Sequence, residues 1–152
     1  MSEDARERPW LRDLVTLERA CWEAIWRDAT GEPKSAALDF DFDRRPIVCP
    51  VLELLALEHA VHAEPDERGA YPIRPSWVIV YRRPADHTVG TFVVNAVTAE
   101  LLRAWARGEE TAMASVQRVA ASRSTVVDAA FIDGLCAVLS DFLERGIVLG
   151  SR

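Results

Sequence analysis

Apolar and polar positions alternate twice in the second half of the chain, over WVIVYRR at 77–83 and TFVVNAV at 91–97. The PADHTVG segment between them holds Pro84, Asp86 and Gly90, so the pair reads as a β-hairpin. The apolar period then lengthens to three and four. TAELLRAWARG predicts a helix with Thr98 as its cap and Gly108 as its stop, and TAMASVQRVAAS predicts a second one capped by Thr111. In the third and longest, Asp128 is the cap, and Phe131, Leu135, Val138, Leu139 and Phe142 mark the inward face. Arg145 and Gly146 close it, and IVLG returns as a short strand. Hairpin, three helices and closing strand is a winged-helix order.

The first half is less regular. Pro9 suits the first turn of a helix in which Leu14, Leu17, Cys21 and Ile25 recur at three and four, ending near Asp28 with Gly31 as the stop. Trp22 and Trp26, one turn apart, lie on an adjacent stripe. Burial against the winged-helix body is their expected fate, and an interaction patch is the alternative. ALDFDFDRRP alternates Leu38, Phe40 and Phe42 with Asp39, Asp41 and Asp43, the period of a half-buried strand with its carboxylates on one face. IVCPV is a short extended run. Pro50 then opens a predicted helix, VLELLALEHAVHA, with Val51, Leu54, Leu55, Leu57 and Val61 inward, and the proline-rich EPDERGAYPIRPS is the linker into the hairpin. The expected fold class is α+β. A helical or extended N-terminal portion, residues 1–74, packs on a winged-helix-like domain, residues 75–152, in one body.

Composition narrows the function. With 152 residues, 49% hydrophobic and 28% charged, the chain can bury a core. A formal net charge of −6 disfavours duplex nucleic acid, which demands a concentrated basic face. No stretch approaches the roughly 18–20 apolar residues of a membrane span, and the charged start MSEDARERPW lacks an apolar signal region, so the expected location is cytoplasmic. Cys21, Cys49 and Cys136 form no C-x-x-C pair and read as free thiols, those at 21 and 136 on apolar helical faces.

Candidates for chemistry are few. Asp39, Asp41 and Asp43 are the most crowded carboxylates, but a hard cation needs more ligands, and Arg44 and Arg45 stand beside them. Glu58, His59 and His62 fall on the predicted helix in an order that is not H-E-x-x-H, so a solvated or capping role is expected. The serines at 115, 122, 124 and 140 have no histidine near in sequence, and neither a glycine-rich phosphate loop nor a G-x-S-x-G turn occurs. The expectation is no catalytic residue, no metal and no cofactor.

Three segments carry a family resemblance. WLRDLVTLERACWEAIWRDA, through Leu14, Leu17, Glu18, Trp22 and Ala24, resembles a helix of the HvfC/BufC/TglI-type partner proteins of multinuclear non-haem iron-dependent oxidases. RRPIVCPVLELLALEHA, through Pro50, Val51, Leu54 and Leu55, is similar to their Pro-Val and apolar-helix segment. The run from VIVYRR through NAVTAELLRAWARGE to FLERGIV is similar to their winged-helix end, itself like the peptide-recognition elements of ribosomal-peptide pathways. Many relatives carry a further N-terminal helical domain, which is not expected here.

The resemblance implies a non-catalytic accessory subunit in the biosynthesis of ribosomally made natural products. It would hold a precursor peptide beside an iron oxidase, with the iron in the oxidase. On that reading TFVVNAV is a docking rail whose edge N–H and C=O groups pair with the leader peptide. The peptide-binding candidates are Thr91, Phe92, Val93, Val94, Asn95 and Ala96, with Phe131 and Leu135 of the third helix; Glu18, Trp22 and Trp26 are the candidates for partner contact. The plain alternative makes Phe92 and Val94 core, with the edge covered by the N-terminal helices. A winged-helix DNA-binding regulator is the competing function, with the third helix in the major groove. Asp128, Asp133, Asp141 and Glu144 against Arg145 speak against phosphate contact there.

Overall fold

The computed structural model describes residues 8–29 and 39–152. In chain order its elements are α1 (Leu11–Trp26), β1 (Pro46–Val48), β2 (Leu52–His59), β3 (Ile73–Arg82), β4 (Val89–Val94), α2 (Ala96–Arg107), α3 (Ala112–Ser122), α4 (Ala129–Arg145) and β5 (Val148–Ser151). The protein is α+β, as the periodicities predict. Its contacts divide it into two units that interleave along the chain. One runs up to Asp28 and takes in Val51–Arg82 and Thr88–Ala96; the other comprises Ala29–Pro50, Arg83–His87 and Val97–Arg152. Residues on both sides of position 75 therefore share the first unit. No helix among the described residues is long and apolar enough to cross a membrane.

In the first unit α1 packs on an antiparallel sheet of order β2-β3-β4. The middle strand is the branched and aromatic run expected of a strand, and Val78, Ile79, Val80 and Tyr81 are all buried, so both of its faces are covered there. Gly90 stands opposite Tyr81, and a Cβ at that position would come within 2.8 Å of the tyrosine ring. Only glycine lets the ring lie across β4.

The helix predicted over VLELLALEHAVHA is instead β2 and the turn after it. Leu55, Leu57 and His59 are buried while Ala56 and Glu58 are exposed, which is the strand period. Leu, Glu and Ala favour a helix locally, but seven residues of β2 register against β3, and that pairing overrides a weak local propensity.

Among the described residues the second unit holds three helices and a two-stranded sheet, β1 with β5. Thr111 caps α3 by accepting from the Ala114 amide, and Asp128 caps α4 by accepting from the Phe131 amide at 2.9 Å. Gly146 ends α4 at φ 73°, a left-handed turn that a side chain would strain. Helix α2 begins at Ala96, so Thr98 lies within its first turn and Asn95 takes the flanking position, a better cap than strand residue.

Residues 39–45 form a turn, not the expected strand. Asp41 accepts from the Asp43 amide at 2.9 Å and its other oxygen lies 3.6 Å from Arg44, so side-chain bonding to the backbone replaces the ladder. Phe40 and Phe42 meet edge to face at 5.2 Å, and Phe40 also contacts Trp105. Leu38 and Gly31 lie outside the described residues.

Candidate partner and peptide surfaces

Helix α1 is pinned to its sheet at both ends. The β2–β3 register shifts between Leu57 and His59, and one oxygen of Asp13, in the first turn of α1, accepts from two consecutive amides there, Glu58 at 3.0 Å and His59 at 2.8 Å. The same oxygen lies 2.9 Å from His59 Nδ1. His59 is buried, so the solvated or capping role expected of it does not hold: the ring is a fastening between helix and sheet. At the other end Arg82, buried on β3, donates to the Ala24 and Ile25 carbonyls at 3.0 Å each. Those carbonyls belong to the last turn of the helix, where the backbone needs donors and favours positive charge.

Clamping settles which face α1 shows. Leu17, Ala20 and Ala24 are buried, while Trp22 is 62% and Trp26 70% exposed, their ring centroids 5.8 Å apart. The expected burial of the two tryptophans is therefore wrong: small alanines let the helix lie close to the sheet and turn the indoles outward. Val15 and Ile25 are exposed as well, and Glu18 lies on the solvent side. Glu18, Trp22 and Trp26 thus come together on one surface. An exposed pair of tryptophans one turn apart is the kind of feature protein partners bury.

Thr91–Val94 form most of β4, which among the described residues pairs with β3 alone and stands at the edge of its sheet. Thr91 and Val93 are exposed, Val93 at 46%, whereas Phe92 and Val94 are half-buried. Asn95 and Ala96 lead on into α2. At this end of the sheet lies a groove of about 590 Å³ whose lining includes Ala56, Glu58, Trp77, Val94, Asn95 and Ala96. Ala56, Glu58 and Trp77 escape sequence reading because a helix over 51–63 would not align them; the β2 register does, placing Ala56 opposite Trp77 and Trp77 opposite Val94.

The remaining candidates belong to the second unit. Phe131 is half-buried on α4, and Leu135 is buried with Leu139 and Phe142. Among the described residues no group of three His, Cys, Asp or Glu side chains is arranged to hold a metal ion. None of the three cysteines is in a disulfide, but Cys136 is exposed rather than on an inward face. Cys21 is half-buried, and burial, reinforced by Glu18, pushes its thiol above the ordinary range. The thiolate is the nucleophile, so iodoacetamide at neutral pH should modify Cys136 at least about tenfold faster than Cys21. Equal rates, read by mass spectrometry of the peptides, would show that α1 does not shield Cys21.

Comparison with curated proteins and with solved structures gives no match. The family model of the HvfC C-terminal domain, however, matches residues 49–143. The chain belongs to that family. As an HvfC-type protein it is an accessory partner of an oxidase. The matched span takes in the sheet β2-β3-β4, the groove and α2 and α3, and runs through most of α4; α1 and its tryptophans lie outside it.

Proposed function

We propose that this protein is the non-catalytic subunit that binds the leader of a ribosomally made precursor peptide and presents it to a multinuclear non-haem iron-dependent oxidase. The iron resides in the oxidase, and the complex works in the cytoplasm. The observation that carries this reading is the edge strand β4 with a groove at its end. An extended peptide laid along such an edge gains main-chain hydrogen bonds, and its alternate side chains reach the sheet face. The winged-helix peptide-recognition reading fits the order of hairpin, three helices and closing strand. The outward Trp22 and Trp26, with Glu18, supply the surface for the oxidase. Net charge −6 weighs against the DNA-binding alternative.

Replacing Val93 by proline tests the rail. An edge strand tolerates proline better than a central one, so the fold should survive while the strand loses a donor and its straight course. Leader affinity by isothermal titration should fall about tenfold or more, since each net hydrogen bond contributes roughly 0.5–1.5 kcal/mol and its neighbours are disturbed too. Wild-type affinity should change little between low and high salt. A folded Val93→Pro that binds the leader as wild type does would move the docking site elsewhere, and tight salt-sensitive binding to duplex DNA would favour the regulator.

A further inference from the structure

Building on the peptide-binding reading, we propose that the groove over Ala56, Trp77 and Val94 is a pocket for one basic side chain, lysine or arginine, of the bound peptide. The floor is a single cross-strand row, with Ala56 opposite Trp77 and Trp77 opposite Val94. Side chains alternate along a strand, and Arg82, five residues on from Trp77, reaches the carbonyls of α1. Trp77 therefore lies on the sheet face away from that helix. The groove, about 590 Å³, is roomy enough for a long side chain and the chain that carries it.

Its charge selects the occupant. Among the described residues Glu58 is the one charged residue in the lining, and it is exposed. Its amide is taken by Asp13, but its carboxylate has no ion-pair partner among the described residues, whereas Glu53, Glu100 and Glu110 each have an arginine. A carboxylate next to an indole favours a cation twice over, by charge and by the ring face. A neutral aliphatic group would desolvate the carboxylate without replacing its water, and an acidic one would be repelled. The long stem of lysine or arginine covers the Ala56 and Val94 surface while its head reaches Glu58.

The test pans the full chain against displayed short random peptides and titrates the enriched ones by calorimetry. They are expected to share one Lys or Arg. Replacing that residue by Gln should weaken binding to wild type about tenfold and to Glu58→Gln less than about twofold, the signature of a direct pair. Glu58→Gln alters only an exposed carboxylate, so its thermal midpoint should match wild type. Enriched peptides without a common basic residue, or an equal loss in both proteins, overturn the pocket while peptide binding itself stands. If no peptide is enriched from wild type, the pocket and the peptide-binding reading fall together.

Discussion

Leu135→Asp should unfold the second unit. Leu135 is 8% exposed on the inward face of α4, in line with Leu139 and Phe142, both also buried. The substitution removes apolar burial and puts a carboxylate in its place. An unpaired buried charge costs several kcal/mol, against a whole-domain stability of about 5–15 kcal/mol. Helical circular dichroism should be largely lost at ambient temperature, or the melting midpoint should drop by tens of degrees. Leu135→Ala separates the two contributions, leaving the protein folded but weakened by about 2–5 kcal/mol. A Leu135→Asp protein that melts like wild type would put that face of α4 in solvent.

The next largest effect is expected from Asp13→Ala. One carboxylate oxygen serves two amides and an imidazole nitrogen at a shift in the sheet register, and its side chain is only 14% exposed. Removing it leaves three donors without their acceptor, at about 1–3 kcal/mol for each that water does not reach. A loss of at least about 3 kcal/mol is expected in denaturant titration. Asp13→Asn, which keeps one acceptor oxygen, should recover part of it. Exchange of the Glu58 and His59 amides should quicken in both variants. A stability within about 0.5 kcal/mol of wild type would mean that α1 is held by its apolar face alone.

The parts of this architecture that were legible in the sequence are those decided locally. Thr111, Asp128 and Gly146 mark helix ends by their own chemistry, and the branched run of β3 has no competing period. Strand β2 was illegible because Val51, Leu54 and Leu55 stand at the three-and-four spacing of a helical stripe, while Leu55 and Leu57 stand at the strand period of two. Only pairing with β3, far along the chain, decides between them. The same ambiguity hid the groove, whose lining takes in Glu58 and Trp77 from the two paired strands. Trp22 and Trp26 were misjudged for another reason. Aromatic side chains usually supply core area, and nothing local reveals that Ala20 and Ala24 take the inward positions while Asp13 and Arg82 fix the rotation of the helix. The hairpin alone does not decide whether the β4 edge is open or covered; the sheet order puts β4 at an edge among the described residues.

On the proposed reading the chain brings a peptide to an oxidase. That reading is tested most directly by reconstitution: any iron oxidase encoded beside the chain, any short precursor peptide encoded with them, and the purified chain, with conversion of the precursor followed by mass spectrometry. Conversion should require the chain, be lost with a precursor stripped of its leader, and fall with Trp22→Ala/Trp26→Ala, while the chain alone converts nothing. An oxidase that modifies the precursor equally well without the chain would contradict the account.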